Sequence, residues 1–365
     1  MKEKRINSLY LHIPFCEHLC EYCDFTKLYY REDWANQYLD HLFTEIDQYH
    51  LDKLHTIYIG GGTPTALNEA QLKRLLEKVS PFFDGSGEFT CEANPENLTD
   101  EKLKLLKHYG VNRLSIGLQT ANNQRLEQIG RHHRYEDVIT CVQNMRKHGF
   151  NNINLDLMYG FPGETIDELK TDLEFILSFD VPHVSIYSLI VEPGSLFYNK
   201  KIREQNQDDS RLFYDYILSF MREHGYERYE ISNFAKPGFE SKHNLTYWHN
   251  EEYYGVGLGA SGYIDNIRYT NTKSLKSYLE DHFIQEKEEI DAKLKKEYFL
   301  ITNLRLAKGF SLAKYKKEFK EDFLELHQAK INEFIEQKLV RIEDGNFLFS
   351  DDGLMVMDRL ILELI

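Results

Sequence analysis

Cysteine is scarce, with five among 365 residues. So few thiols exclude a disulfide-stapled scaffold and fit a reducing compartment, so a cytoplasmic location is expected. Positive charge is short as well, with 44 Lys and Arg against 59 Asp and Glu and a formal charge of −15. That balance argues against a general affinity for nucleic acid or for anionic membranes. No stretch approaches 18 uninterrupted apolar residues, so no transmembrane span is expected. The N-terminus carries Lys2, Lys4 and Arg5 with no apolar run behind them, and does not read as a signal peptide. Internal repeats and low-complexity tracts are missing too. What is present suits folded cores: 42% hydrophobic and 13% aromatic residues, far from a disordered composition.

Three of the five cysteines stand together. Cys16, Cys20 and Cys23 form a C-x3-C-x2-C run just behind an apolar stretch, Ser8 to Ile13. Chance would give this spacing in about one chain in a thousand of this composition. Three thiolates bind a metal centre without saturating it. A closed zinc site needs four ligands, and no second C-x2-C or H-x3-H follows to complete one. A [4Fe–4S] cluster on three cysteines keeps one iron open for another ligand, so the spacing favours the cluster over zinc. Cys91 and Cys141 sit in apolar segments and read as core residues.

From residue 8 to about 225, strand and helix patterns alternate. Strands are expected at Ser8–His12, Thr56–Ile59, Glu88–Glu92, Arg113–Gly117, Ile153–Leu157 and His183–Leu189. Helix starts are legible at Asn68, at Thr99 and at the Thr165/Glu168 capping box. Six βα units imply a parallel sheet with right-handed crossovers. They are too few for a closed eight-fold barrel, so an open, partial α/β barrel is expected, with its chemistry at the C-terminal strand ends. This part is assigned residues 1–235. Residues 236–290 read as a loop-heavy Gly- and aromatic-rich connector packing on the barrel, ending in a charged linker from Glu286 to Lys296. Residues 291–365 read as a smaller, mainly helical domain. Its hairpin turns at Asp344-Gly345, an arrangement resembling a winged helix. Its Lys residues are mixed with many Glu and Asp, which argues against DNA binding.

Polar groups collect where such a barrel would hold a ligand. Gly60-Gly61-Gly62-Thr63-Pro64 follows the second strand and lets backbone N–H groups approach a bound molecule. Glu92 ends the third strand, Gln119 the fourth, and Asp156 lies near the end of the fifth. Arg131 follows the fourth. Gly257-Leu-Gly259-Ala-Ser-Gly262 fits G-x-G-x-x-G, but the extended pattern of Tyr263 to Thr270 denies it the helix that a dinucleotide site requires.

Taken together, the cysteine run, Gly-Gly-Gly-Thr-Pro, Glu92-Ala-Asn-Pro, Ser115-Ile-Gly-Leu-Gln119 and Asp156-Leu-Met-Tyr-Gly-Phe-Pro resemble a radical S-adenosylmethionine (SAM) protein. The resemblance runs over nearly the whole chain and is narrower still: the oxygen-independent coproporphyrinogen III oxidase-like family. It implies a partial (β/α)6 radical SAM barrel. It also implies a [4Fe–4S] cluster on Cys16, Cys20 and Cys23, and a SAM pocket lined by Tyr10, Tyr22, Gly62, Thr63, Glu92, Gln119, Arg131 and Asp156. In that family the reduced cluster cleaves SAM to a 5′-deoxyadenosyl radical. Two departures separate the chain from the oxidases themselves: Asp24-Phe25 follows the third cysteine, and only 15 residues precede Cys16. Cys-Asp-Phe, and the element His243-Asn244-Leu245-Thr246-Tyr247-Trp248, resemble instead the HemW-type heme chaperones. That implies heme as a further ligand, with His243 as axial ligand and Asn244, Tyr247 and Trp248 around it; His12, His18, His55 and His249 compete. It implies SAM binding without porphyrinogen decarboxylation, and client hemoproteins as partners, membrane respiratory enzymes and a homodimer included. Decarboxylation of coproporphyrinogen is the alternative function.

Overall fold

The computed structural model describes residues 5–365, so Lys2 and Lys4 lie outside it. Six parallel strands form the frame: β1 (Ser8–Ile13), β2 (Leu54–Gly61), β3 (Phe83–Ala93), β4 (Arg113–Gln119), β5 (Asn152–Tyr159) and β6 (His183–Ser188). They pair strictly in chain order, and one major helix follows each: α1 (Glu32–Gln48), α2 (Glu69–Val79), α3 (Asp100–His108), α4 (Tyr135–Lys147), α5 (Ile166–Leu177) and α6 (Gln207–Glu223). The expected partial α/β barrel is therefore the fold. Later segments lengthen the sheet at both edges. Tyr254–Val256 adds parallel to β1, while Asn233–Ala235 adds antiparallel to β6 and Glu227–Arg228 lies beyond it.

Strand periodicity explains both faces of this sheet. Leu9 and Leu11 of β1, Ile57 and Ile59 of β2, Leu114 and Ile116 of β4, and Leu155 and Leu157 of β5 are fully buried. They belong to the main core, where the helices contribute Leu39, Leu72, Leu103, Val142 and Leu173. Each such side chain stabilises the fold by about 1.5–3 kcal/mol. The residues between them face the barrel interior and are polar or small: Tyr10 and His12, Thr56 and Tyr58, Glu88 and Glu92, Arg113 and Ser115, Asn154 and Asp156, His183 and Ser185. The helix starts stand where the sequence places them, with Asn68 and Thr165 closing capping boxes and Thr99 accepting from the Lys102 N–H.

Two expectations after residue 236 need correction. The connector is not mostly loop: it holds a helix, α7 (Lys242–Trp248), and strands at Tyr254–Val256, Ser261–Ile264 and Ile267–Asn271. The charged segment is not a linker either. Ile284–Glu289 pairs with Ile267–Asn271 as an exposed edge strand, and Asp291 then caps the helix Ala292–Asn303. Charged residues suit an edge that must not pair further. The C-terminal part has its own core around Phe299, Phe310, Phe323, Phe334 and Phe347. The hairpin Val340–Glu343/Asn346–Phe349 turns through Asp344 and Gly345, both at positive φ.

Helix α7 closes the floor of the barrel, at the N-terminal strand ends. Glu88 of β3 receives its first turn: Ser241 Oγ at 3.1 Å, Lys242 N–H at 3.1 Å and His243 N–H at 3.3 Å. Arg113, 2% exposed, lies 4.0 Å away on the other side of the same carboxylate. Ser8 Oγ meets Thr246 Oγ1 at 3.0 Å, and Thr56 Oγ1 meets His243 Nδ1 at 2.8 Å. One buried carboxylate thus satisfies three donors at the start of α7, accepts from Thr90 Oγ1 at 3.3 Å and balances a buried cation. Glu88→Ala removes all of this and is expected to destabilise the protein by about 3–5 kcal/mol. Urea denaturation that finds less than about 1 kcal/mol lost would show that the floor does not depend on Glu88.

Candidate functional site

Above this floor, at the C-terminal strand ends, the barrel holds a cavity of about 480 Å³. The cysteine loop forms one wall. Cys16 is buried, Cys20 and Cys23 are half-buried, and none is in a disulfide. The loop is tied down by its backbone: Glu21 N–H donates to the Ile129 carbonyl, and Phe197 N–H donates to the Glu21 carbonyl, both at 3.0 Å. Lys27 Nζ donates to the carbonyls of Cys20 and Cys23. Burial pushes the Cys16 thiol up to about 11, opposed by its hydrogen bond from Thr63. Gly62 fits against this thiol, since a Cβ there would lie 2.9 Å from Cys16 Sγ. The donor set of three thiols fits a [4Fe–4S] cluster, whose irons take one thiolate each. Among the described residues no group of three His, Cys, Asp or Glu side chains converges to hold a single ion.

Next to the thiols lies a polar wall. Glu92 accepts from Tyr58 Oη at 2.6 Å and from Gly61 N–H at 3.0 Å. Burial raises this carboxyl to about 7, and the nearby Asp156 adds to the rise. Asp156 is itself raised by burial; it accepts from Asn154 at 2.8 Å and from Ser115 at 3.4 Å. Arg131 donates to Asn94 Oδ1 at 2.5 Å and to Tyr22 Oη at 3.0 Å. Its Nε is buried and has no partner among the described residues, as an incoming anionic group would require. Gly117 clears space here: a Cβ would lie 2.7 Å from Gln119 Nε2 and 3.0 Å from Arg131 Nη2. Gln119 closes its strand at φ +69°.

Cys16, Cys20, Cys23, Tyr22, Gly62, Thr63, Glu92, Gln119, Arg131, Asp156 and Asn244 thus line one cavity. Tyr10 stands one layer back, bonded to His12 Nδ1 at 3.0 Å and packed beside Tyr58. The His243 to Trp248 element does not form the pocket expected of it. His243 is fully buried in the floor, with Nδ1 bonded to Thr56 and Nε2 to Tyr247 Oη at 2.7 Å. Burial lowers its imidazole to about 3, and no ring nitrogen is free to meet an iron. The expectation that His243 stands ready as axial ligand is therefore corrected. Tyr247 is committed to that histidine, Trp248 is half-buried at the same helix end, and Asn244 alone of the four reaches the cavity. The location of His243 below the strands was not legible, because it depends on Glu88 and Thr56, over 150 residues away.

Reading strand ends alone also missed Tyr58, Asn94 and Arg113. A signal existed. In Arg113-Leu-Ser115-Ile-Gly117-Leu-Gln119 every second residue is polar or glycine, the pattern of a strand with an apolar outer face and a polar interior.

Comparisons with known proteins agree with this geometry. Residues 10–176 match the family model described as the Radical SAM superfamily, and residues 296–356 match the HemN C-terminal domain. The solved structure of coproporphyrinogen III oxidase (HemN) from Escherichia coli, a radical SAM enzyme, superposes with TM-score 0.87 at 22% identity. That likeness covers 99% of this chain and 90% of the other, and shows the fold. Fold and cavity are those of a radical SAM protein, a class that implies a [4Fe–4S] cluster and SAM. Among curated proteins, the heme chaperone HemW of Lactococcus lactis subsp. lactis (strain IL1403) is 42% identical, covering 95% of this chain and 94% of its own. That of Bacillus subtilis (strain 168) is 40% identical, covering 95% and 96%. The chain belongs to the HemW heme chaperone family of the Radical SAM superfamily.

Two outcomes are expected. Anaerobically reconstituted protein carries about four irons per chain, and Cys20→Ala loses most of them. Full iron in that variant, or zinc in its place, would refute the thiol assignment. The second outcome concerns Glu92. A buried carboxyl raised from 4.5 to about 7 favours folding only while protonated in the native state, so its contribution is lost as pH climbs through that window. Glu92→Gln has no such loss. Its advantage in urea midpoint over the wild type, both without cofactor, should grow between pH 5 and pH 8 by an amount equivalent to about 3 kcal/mol. An equal gap at both pH values would place the carboxyl near its ordinary value.

Proposed function

We propose that this protein carries heme and passes it to the apo-forms of client hemoproteins, on a scaffold that holds a [4Fe–4S] cluster and SAM. One observation carries the reading: a single cavity is polar, charged and buried at its depth, yet opens between large exposed apolar side chains. The deep part suits a small zwitterionic cofactor and the mouth suits a large amphiphilic one. The names of the relatives, heme chaperones at 42% and 40% identity over almost the whole chain, point the same way.

In this reading Cys16, Cys20 and Cys23 hold the cluster, and the pair of cofactors, when bound, supplies one-electron chemistry. Glu92 and Asp156 receive the amino group and ribose hydroxyls of SAM, and Arg131 meets its carboxylate through the unused Nε. Tyr22 lies along the adenine, while Gly62, Thr63 and Gln119 line the approach. Residues 1–235 form the cofactor unit, 236–290 its connector and 291–365 a separate tail. The connector packs into the main core through Val256, Leu258, Tyr278 and Phe283. Among the described residues no helix is long and apolar enough to cross a membrane, so membrane respiratory clients would be met from outside the bilayer.

Coproporphyrinogen oxidation is not favoured, since its support is likeness of fold at 22% identity. The test is direct. Cluster-loaded protein mixed with hemin should take up about one heme per chain with a defined Soret band, and release it to an added apo-hemoprotein. With SAM and a reductant it should leave coproporphyrinogen unchanged. Conversion of the porphyrinogen, or failure to bind hemin, would overturn the carrier reading.

A further inference from the structure

With His243 closed into the floor, the axial ligand of a bound heme must come from elsewhere. The histidines inside the barrel are all engaged. His12 is bonded to Tyr10 and the Thr26 carbonyl, and His183 to Asn154 and Tyr229. The opposite end differs. His18, in the cysteine loop, and His132, just after Arg131, stack face to face with ring centroids 3.5 Å apart and planes 14° from parallel. Both are exposed, and neither has a hydrogen-bond partner among the described residues. A face-to-face stack occupies the π faces and leaves the in-plane lone pairs, the ones that bind iron, free. The neighbouring ring also fixes the orientation of His18 in advance, which lowers the cost of ligation.

His18 lines the cavity mouth together with Phe25, Tyr187 and Ile190. These three large side chains are 65%, 40% and 58% exposed. Phe25 comes from the loop after the first strand, while Tyr187 and Ile190 come from the end of the sixth. They therefore flank the opening from the two ends of the six-strand arc. Apolar side chains standing singly in solvent need no explanation, but three around one opening mark a binding surface. A flat apolar ring, an adjacent free imidazole and a solvent-open edge for carboxylates match the chemistry of an iron porphyrin.

Resting on the heme-carrier reading, we infer that heme docks at this mouth. His18 ligates the iron, Phe25 lies along the macrocycle, Tyr187 and Ile190 close the far lip, and His132 backs the ligand ring. The propionates stay in solvent. One imidazole on an open site gives an attachment that can be reversed, as transfer requires.

The test uses the full chain with its cluster in place, titrated anaerobically with hemin. His18→Ala should shift the Soret band and weaken hemin binding by at least about tenfold. Cluster iron and thermal midpoint should stay at wild-type values, and added imidazole should restore the wild-type spectrum. Phe25→Ala should weaken binding several-fold without moving the band, which reads the docking surface apart from the ligand. Wild-type spectrum and affinity in His18→Ala, with the wild type binding hemin normally, would overturn this site while leaving the carrier reading intact. Hemin uptake seen only after the cluster is removed would put the iron on the thiolates and also overturn it. No hemin binding by the wild type in either state would overturn the carrier reading itself.

Discussion

A parallel barrel with a polar interior must find partners for that interior, and the rest of this molecule follows from that constraint. The outer face of the six strands raises no such difficulty, because Leu, Ile and Val meet the apolar faces of the helices. The inner face carries Glu88, Glu92, Arg113, Asp156, His183 and their neighbours, and a buried polar group without a partner is costly. The lower half is mostly satisfied from within the chain, although Arg113 Nε is buried there without a hydrogen-bond partner. Glu88 caps α7 and faces Arg113, while His183 links Asn154 to Tyr229 at 2.6 and 2.8 Å. The upper half is only partly satisfied. There Arg131 Nε is left over, and two carboxyl groups are raised by burial. A polar ligand completes what the fold leaves open.

The same constraint explains the two glycine positions that matter most. Thiols and a guanidinium can stand close to the strand ends only where no side chain competes for the space. At Gly62 a Cβ would meet Cys16 Sγ, and at Gly117 it would meet Gln119 and Arg131. The cofactor wall is therefore shaped as much by absent side chains as by those present.

What could be read in the sequence divides along the same line. The cysteine run, the capping boxes at Asn68 and Thr165, and the six βα units are local patterns, so spacing and periodicity suffice to find them. The floor is not local. Ser241, Lys242 and His243 form a helix whose first turn is held by a carboxylate in β3, and no window of sequence around residue 243 contains that fact. A motif with His, Tyr and Trp close together reads as a ligand cage, whereas here its histidine has both ring nitrogens hydrogen-bonded within the floor. Likewise the charged stretch after Ile284 looks like solvent-exposed linker, and it is exposed; its pairing with Ile267–Asn271 has no compositional trace. Arg113 and Tyr58 were legible in principle, through the alternation of their strands, but not through strand ends.

Depth and mouth then divide the work of the cavity. At depth, Glu92 and Asp156 are half-buried near Arg113 and Arg131, an environment in which electrostatic contacts with a charged small molecule are stronger than in open water. At the mouth, Phe25, Tyr187 and Ile190 offer area without charge, and His18 offers one ligand without a second to lock it. A group bound there trades exposed apolar surface for contact with an equally apolar plane, a modest gain that a client with a closed pocket can exceed. On the proposed reading, retention below and release above need no moving part. They follow from how much of each binding surface the same six strands withdraw from water.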